Sequence, residues 1–145
     1  MIDATNDTRL QDRIREAGMR VTAPRLAVLR HLAAQPTPVS HSEIVDGLIS
    51  WDRATVFRNL VDLTESGLVR RIDVGDHVWR YEYATEGGLP EGHPHFTCIS
   101  CGEVTCLDGV SVAMTPTLVK PAAPNFVPDL AHVEIHLRGR CVRCA

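Results

Sequence analysis

The sequence places six side chains that bind soft metal ions in two short segments. The first is the run His93-Pro94-His95-Phe96-Thr97-Cys98-Ile99-Ser100-Cys101-Gly102, and the second is Cys141-Val142-Arg143-Cys144. Thiolates and neutral imidazoles suit zinc and its neighbours in the first transition row. A Cys-x-x-Cys pair puts two sulfurs on one tight turn, so both reach one ion, and a second pair supplies the other two corners of a tetrahedron. The spacing therefore predicts one zinc site formed by Cys98, Cys101, Cys141 and Cys144.

Length and composition limit the class of protein around these ligands. A chain of 145 residues holds one ordinary domain or two small ones, and 44% hydrophobic with 23% charged residues fits a soluble globular protein. No apolar run reaches the length of a signal peptide or a membrane span, so we expect a cytoplasmic protein without a membrane partner. In that compartment paired cysteines favour metal ligation over disulfides.

Charge excludes a protein that attracts nucleic acid through its overall field. The net charge is −3, and 14 of the 15 basic residues are Arg, the exception being Lys120. Any contact with nucleic acid must therefore come from a local patch of Arg side chains.

Helical periodicity and capping signals predict three helices in the first 50 residues. The first covers about residues 8–17. Thr22 is placed to cap the second, which tolerates Pro24 in its first turn. Ser40 and Glu43 form a capping box that starts the third.

A fourth helix is predicted from about Arg53 to Ser66, with Gly67 as its C-terminal stop. Its apolar side is assigned to Ala54, Phe57, Leu60, Val61 and Leu63. Its polar side is assigned to Arg53, Thr55, Arg58, Asn59 and Asp62. Taken alone, this pattern is typical of an amphipathic helix with a solvated face.

A predicted β-hairpin changes the interpretation of that helix. Residues 68–74 and 77–83 favour strands on either side of a Gly75-Asp76 turn, and the hairpin carries Arg70, Arg71 and Arg80. Helices followed by such a hairpin are the pattern of a winged helix-turn-helix, in which the helix before the hairpin enters the major groove.

Beyond a Gly- and Pro-containing hinge at residues 85–92, short strands are predicted at 96–99, 104–107 and 133–138. Between the second and third of these strands, at most one short helix is predicted, near Val110–Val119. So little sheet is unstable alone in water, and a structural zinc with a second subunit would stabilise it. The fold class is therefore α+β: an N-terminal winged helix-turn-helix followed by a small α/β domain with a four-cysteine zinc site.

In this order, the segments resemble the ferric uptake regulator family of metal-dependent bacterial repressors over nearly the whole chain. The matching parts are residues 19–26 (MRVTAPRL), residues 52–60 (DRATVFRNL), Arg80-Tyr81-Glu82, the HxHxxCxxCG run and the terminal CxxC. The resemblance implies a DNA-binding domain at 1–84, a hinge at 85–92, and a dimerisation and metal-binding domain at 93–145. It implies a homodimeric repressor that binds a palindromic DNA operator when loaded with metal, and takes no small-molecule substrate.

The resemblance also implies two kinds of metal site. The four cysteines hold a structural zinc, and Glu82, His93 and His95 hold a second, regulatory divalent ion (Zn, Fe or Mn). Glu82 precedes the hinge and the two histidines follow it. An ion that joins them would favour one hinge geometry, and so one spacing of the two recognition helices of a dimer.

Two departures from the family pattern affect the regulatory ligands. Pro38 occupies the position of a family His ligand, and His41 is a candidate substitute. Cys106 replaces a family carboxylate, either as a ligand or as a packing residue. A thiolate ligand there favours zinc or another thiophilic ion, and it adds a site of oxidation.

The remaining donors are assigned less central roles. Pro94 lacks the donor that a further family metal site uses, so that site is expected to be absent or rebuilt. His132 is a candidate extra ligand near a family position. His31 and His136 are assigned structural or surface roles.

DNA contacts are implied by position. Arg53, Thr55, Phe57 and Arg58 lie on the predicted recognition helix, and Arg20 and Arg25 are candidates for phosphate or minor-groove contact. Phe57 stands where the family commonly has Tyr. A Phe ring can still contact a thymine methyl, but it lacks the hydroxyl of Tyr and the hydrogen bond that the hydroxyl makes. The alternative interpretation places Phe57 partly in the core.

Three rival functions remain open. A peroxide sensor of the same family would need an oxidisable iron at the His/Glu site or a reactive Cys106. A thiol–disulfide oxidoreductase would use a CxxC pair, but neither pair opens a helix after a strand. A zinc-ribbon interaction module would not need the arginine-bearing helix and hairpin. The sequence has no nucleophile–base pair and no phosphate loop, so we do not expect an enzyme.

Overall fold

A computed structural model describes residues 4–85, 93–110 and 134–145. The chain divides into two compact units, residues 1–86 and 87–145. The predicted α+β class is confirmed. Within the described ranges no helix is both long and apolar enough to cross a bilayer. The helix expected at Val110–Val119 falls outside those ranges except for its first residue.

Four helices form most of the first unit, and local signals set their ends. They are α1 (Ala4–Glu16), α2 (Ala23–Ala33), α3 (His41–Gly47) and α4 (Arg53–Glu65). The Thr22 side chain accepts the backbone N–H of Arg25 at the start of α2, and the Ser40–Glu43 capping box forms at the start of α3. Gly67, with φ of 77°, follows α4 in the left-handed conformation that glycine adopts without strain. The predicted capping therefore holds at all three positions.

An antiparallel sheet completes the first unit. Its strands are β1 (Val39–Ser40), β2 (Val69–Asp73) and β3 (Trp79–Tyr83), in the order β1-β3-β2. The β2–β3 hairpin is the predicted wing, and its register pairs Arg71 with Tyr81 and Asp73 with Trp79. The turn contains His77 with φ of 64°, a left-handed conformation that is uncommon outside glycine.

The core of the first unit draws side chains from every helix and from the hairpin. Its buried members are Leu10, Ile14, Val28, Leu29, Leu32, Ile44, Val56, Leu60, Leu63, Leu68, Val69 and Tyr81. This packing fixes which face of α4 points outward.

The outward face of α4 differs from the predicted one at four positions: Ala54, Phe57 and Val61 of the predicted apolar side are exposed, and Asn59 of the predicted polar side is buried. Phe57, assigned to the apolar side, is 42% exposed, and Val56 occupies the core in its place. Asn59, assigned to the polar side, is buried, and its Nδ2 donates to the carbonyl of Thr55 at 2.8 Å. A buried amide is tolerated because the helix itself supplies its acceptor. The exposed face of α4 is therefore partly apolar.

The second unit contains one small mixed sheet. Its strands are β4 (His95–Cys98), β5 (Val104–Cys106) and β6 (His136–Gly139), in the order β5-β4-β6. β4 pairs antiparallel with β5 and parallel with β6. The first strand begins one residue earlier than predicted, and the last occupies 136–139 where 133–138 was expected. β4, which contains His95 and Cys98 of the first metal-binding segment, is therefore the central strand, with β5 on one side and β6 on the other.

Candidate metal centres and nucleic-acid interface

The four predicted zinc ligands lie together in the second unit. The sulfur atoms of Cys98, Cys101, Cys141 and Cys144 are all within 4.8 Å of one another. Sulfurs bound tetrahedrally at about 2.3 Å from a zinc ion lie roughly 3.8 Å apart. The Sγ atoms of Cys101 and Cys141 are 3.9 Å apart, which fits that geometry. The donor set and its spacing therefore fit a structural zinc.

Two backbone turns aim these sulfurs at a common point. In the first, the Gly102 amide donates to the carbonyl of Cys98 at 2.9 Å, and Gly102 takes a left-handed φ of 74°. In the second, the Cys144 amide donates to the carbonyl of Cys141 at 2.9 Å. An ion pair between Glu103 and Arg143 links the two turns.

Backbone donors already favour a negative charge at this cluster. The Cys141 amide donates to the Sγ of Cys98 at 3.4 Å, and this hydrogen bond lowers the pKa of the Cys98 thiol to about 6. Hydrogen bonding to Cys141 raises the pKa of Cys144 to about 12, because a neighbouring sulfur then holds the charge. Since zinc binds thiolates, Cys98 offers a preformed anionic ligand.

A second group of metal-binding side chains lies on the same sheet of the second unit. The ligand atoms of His93, His95 and Cys106 lie within 4.8 Å of one another. His95 pairs directly with Cys106 across β4 and β5, so both side chains leave the same face of the sheet. The rings of His93 and His95 have centroids 4.7 Å apart. Two imidazoles and a thiol in this arrangement form a donor set for zinc or another thiophilic ion.

Two further side chains lie beside this second group: Asp108, which the sequence did not single out, and His136, which was assigned a structural or surface role. The carboxylate of Asp108 lies 3.5 Å from Nδ1 of His93, an arrangement that orients a metal-binding imidazole. On the other side of His95, the ring of His136 lies 6.1 Å away, centroid to centroid. Short-range patterns could not reveal His136, because its neighbour on β4 is some forty positions away in the chain.

The other candidate ligands have separate environments. Glu82 lies on β3 of the first unit, opposite Arg70, and is only 7% exposed. His41 opens α3 in the same unit, where its Nε2 lies 3.2 Å from the carbonyl oxygen of Arg53. His132 lies outside the described residues.

The exposed side of α4 combines basic and apolar side chains. Arg53, Ala54, Phe57, Arg58 and Val61 are all exposed on it. The cap residue Asp52 accepts both the amide and the hydroxyl of Thr55, each at 2.8 Å, so the N-terminal turn is fixed. Arg side chains bond to guanine or phosphate and a Phe ring packs on a thymine methyl, so this side suits a major groove.

His41 contacts two residues of α4 that are predicted to contact DNA, Arg53 and Phe57. Besides its approach to the Arg53 carbonyl, its ring meets the ring of Phe57 edge to face, with centroids 5.7 Å apart. α3 therefore helps to orient Phe57.

The two outlying arginines differ in availability. Arg20 is exposed between α1 and α2. Arg25 forms an ion pair of 2.7 Å with Asp62 of α4, and its Nη1 donates to the carbonyl of Arg20. Arg25 therefore ties α2 to α4 and is the weaker candidate for a phosphate contact.

The wing presents one arginine in a stacked arrangement. The guanidinium of Arg71 lies 4.0 Å from the centroid of the Trp79 ring, a cation–π contact between neighbouring strands. Arg80 is paired with Asp76 in the same hairpin at 2.8 Å. Arg71 is thus held in place while Arg80 is neutralised within the protein.

A winged helix with an exposed basic helix, joined to a unit with four-cysteine and His/Cys donor groups, defines a metal-dependent DNA-binding regulator. Residues 16–117 match the profile of the Ferric uptake regulator family. The transcriptional regulator FurA of Mycobacterium tuberculosis is 32% identical over 139 residues, which cover 92% of this chain and 88% of FurA.

Solved structures show the same fold. The ferric uptake regulator of Vibrio cholerae has a TM-score of 0.61 and 24% identity, covering 90% of this chain and 98% of that one. A zinc uptake regulator complexed with zinc and DNA has a TM-score of 0.59 and 19% identity, covering 99% and 95%. The chain belongs to the ferric uptake regulator family, whose members are metal-responsive transcriptional regulators.

Proposed function

We propose that this protein is a metal-responsive transcriptional repressor that binds a palindromic DNA operator as a homodimer in the cytoplasm. The observation that carries the proposal is the presence of two separate donor groups in the second unit: four cysteines, and His93, His95 and Cys106. The four-cysteine set has the closed composition of a structural zinc site. Among the described residues of that unit the second set has three closely spaced members, so its ion can take a further ligand and respond to metal supply.

Glu82 is the ligand proposed to come from the first unit. Glu82 is 7% exposed near the end of the wing, and a carboxylate oxygen is a common ligand of divalent metal ions. An ion bound to Glu82 and to the His93 group would couple metal binding to the orientation of the DNA-binding unit. His41 and His132 remain candidate ligands.

The donor types support zinc as the sensed ion. A site with two imidazoles, one thiolate and one carboxylate is softer than the nitrogen and oxygen sites that suit manganese or ferrous iron. Cys106 is half-buried on β5. If the regulator responded to peroxide instead, peroxide would oxidise this thiol, and the metal would lose one ligand.

Exposed side chains in both units support the DNA and dimer parts of the proposal. In the first unit, Arg58 and Phe57 project from α4. In the second unit, apolar side chains stand in solvent: Ile99, Val110, Leu137 and Val142. An exposed apolar surface of this kind favours pairing with a second copy, as in the homodimeric family.

The decisive experiment measures binding of the full chain to an inverted-repeat operator while zinc, manganese or ferrous iron is added separately. With the four-cysteine zinc already in place, operator binding should strengthen on addition of the regulatory ion, by about 5–150-fold for a coupling of ordinary size. Glu82→Gln should remove most of this response, whereas Glu16→Gln, at the exposed end of α1, should keep it. Equal operator affinity with and without added metal in the wild type would refute the proposal.

A second experiment tests the assigned recognition helix. Arg58→Ala should weaken operator binding, and if Arg58 contacts a phosphate, the slope of log affinity against log salt should fall by about one unit. The control is Arg15→Ala, since Arg15 is an exposed arginine of α1 that bonds to Asp12 and Gln11 in its own helix. Equal operator affinity of the two variants would remove Arg58 from the interface.

A further inference from the structure

The centre of the second sheet carries a row of three side chains that can bind metal. His95 of β4 is paired with Cys106 of β5 on one side and with His136 of β6 on the other. Residues paired directly across neighbouring strands project from the same face of a sheet. Cys106, His95 and His136 therefore lie side by side. The ring of His93 lies next to the ring of His95, with centroids 4.7 Å apart.

The environment of His136 prepares one ring nitrogen for a metal. The Nε2 of His136 lies 3.3 Å from the carboxylate of Glu134. An ionised carboxylate only accepts hydrogen bonds, so Nε2 carries the proton and the lone pair of the neutral ring is on Nδ1. Nδ1 is buried and has no hydrogen-bond partner within the described part of the chain. A carboxylate on the far nitrogen of an imidazole is the usual support of a metal-bound histidine.

The distance between the two rings is compatible with one shared ion. A metal–nitrogen bond of about 2.1 Å puts an imidazole centroid roughly 3.2 Å from the ion, so two rings on one ion have centroids roughly 5.2 Å apart at the tetrahedral angle and up to roughly 6.4 Å apart at wider angles. The centroids of His95 and His136 are 6.1 Å apart, with the ring planes inclined by 27°. Rotation about χ2, a broad torsion in histidine, is the movement that would turn Nδ1 toward the ion.

We propose that His136 is a further ligand of the regulatory metal, bound through Nδ1 and oriented by Glu134. This assignment rests on the regulatory site proposed above and completes it within the second unit: His95, Cys106 and His136 on the sheet and His93 just before β4 form a set of four donors. The ion then stays bound to the second unit whether or not Glu82 joins it. Affinity for the metal resides in the sheet, and the carboxylate of the first unit transmits its presence.

The test uses Co(II) titrated into the full chain with zinc already in the four-cysteine site. Co(II) reports its ligands through the thiolate charge-transfer absorption from Cys106 and the intensity of its d–d bands, which is high for four ligands and low for six. His136→Gln should lower the Co(II) affinity by at least the roughly 10–100-fold that follows loss of a supporting residue, and should weaken the d–d bands. The charge-transfer absorption should remain.

Four further variants keep the test decisive. Glu134→Gln should cause a smaller loss of Co(II) affinity in the same direction, and His77→Gln, which alters an exposed histidine of the wing, should cause none. If His136→Gln perturbs the sheet, seen as loss of the bound zinc, His136→Asn and His136→Gly with added imidazole replace it, and imidazole should restore the affinity and d–d intensity of the Gly variant.

The inference and the proposed function can fail separately. Wild-type Co(II) affinity and spectrum in zinc-loaded His136 variants would overturn the assignment of His136 but leave the metal-dependent operator binding intact. Metal-independent operator binding by the wild type would overturn the proposed function but leave the four-donor site measurable. The proposed division of roles also predicts that Glu82→Gln keeps its Co(II) affinity within about threefold of the wild type while losing the operator response; loss of affinity as large as that of His136→Gln would refute it.

Discussion

The two units of the chain are stabilised in different ways. In the first, every helix and the hairpin contribute buried apolar side chains to one core, including Leu29, Ile44 and Leu60. Among the described residues of the second, the buried apolar side chains are Pro94, Cys98 and Val104, and Cys98 is itself a predicted metal ligand. The first unit is a hydrophobic fold, and we expect the second to depend on a metal ion at its four cysteines.

This difference matches the division of labour in a metal-responsive regulator. A DNA-reading helix must keep its shape in both the active and the inactive state, and a close-packed core provides that constancy. A small sheet with its side chains committed to ligands has little apolar area to bury. Structural zinc in small domains supplies roughly 10–16 kcal/mol of apparent binding free energy, which is also folding free energy. The side chains proposed to sense metal can therefore lie on a sheet whose stability we expect to come from zinc at the four cysteines.

The largest expected effect comes from removing one zinc ligand. Cys141→Ser should release the zinc and unfold the sheet of the second unit, because the three remaining sulfurs lose their common ion. The first unit should stay folded, since its core does not include the metal. Hydrogen exchange resolved along the chain, together with zinc analysis, measures both outcomes: protection should vanish in β4 and β6 and persist in α2 and α4.

Cys106→Ser is the matched control for this loss. It also replaces a thiol by a hydroxyl on the same sheet, but outside the four-cysteine group, so the structural zinc and the protection of β4 should be retained. If Cys141→Ser kept its zinc and its protected sheet, the second unit would not depend on the metal and the contrast between the units would fail.

The next effect in size is a core truncation in the first unit. Leu60 is fully buried on α4, and Leu60→Ala should lower the stability of the first unit by about 2–5 kcal/mol through lost burial and the cavity left behind. Val61→Ala, one position further and exposed, is the control and should change stability by less than about 1 kcal/mol. Hydrogen exchange of α2 and α4 measures the change, while the zinc content should stay constant. Equal effects of the two substitutions would contradict the assigned orientation of α4.

Local signals were sufficient to predict the starts of α2 and α3, the glycine stop after α4 and the grouping of the four cysteines, whereas α1 begins at Ala4 and not near residue 8. The caps at Thr22 and Ser40 depend on hydrogen bonds between residues three apart in the chain, so the sequence contains all the information. Each CxxC pair is likewise a local turn, and only the meeting of the two pairs is long-range. The short range of these interactions explains why the predictions held.

Tertiary contacts decided the features that sequence analysis missed. Helical spacing did not distinguish Val56 from Phe57 at the core, because their neighbours across α2 and β2 determine which one is covered. Asn59 is buried since it bonds to its own helix, an option that polarity alone does not reveal. The position of His136 follows from a parallel pairing with β4, whose register depends on strands far apart in the sequence.

The smallest effect concerns a capping carboxylate of the first unit and its dependence on pH. Hydrogen bonds from the amide and hydroxyl of Ser40 lower the pKa of Glu43 below its ordinary value of 4.5. A depressed pKa in the folded state means that ionised Glu43 stabilises the unit above about pH 4.5, and that this contribution is lost as the pH falls through the lower folded-state pKa. Because the carboxylate is exposed and screened, Glu43→Gln should cost only about 0.3–1 kcal/mol at neutral pH, and the difference from the wild type should shrink to zero in acid, where both side chains are neutral. The control is Glu65→Gln. Glu65 lies at the C-terminal end of α4, where a negative charge interacts unfavourably with the helix dipole, so this substitution should be neutral or slightly stabilising. Denaturant unfolding of the zinc-loaded protein at several pH values provides the measurement, and a Glu43→Gln deficit that grows as the pH falls would show that the capping box does not hold the carboxylate in its charged form.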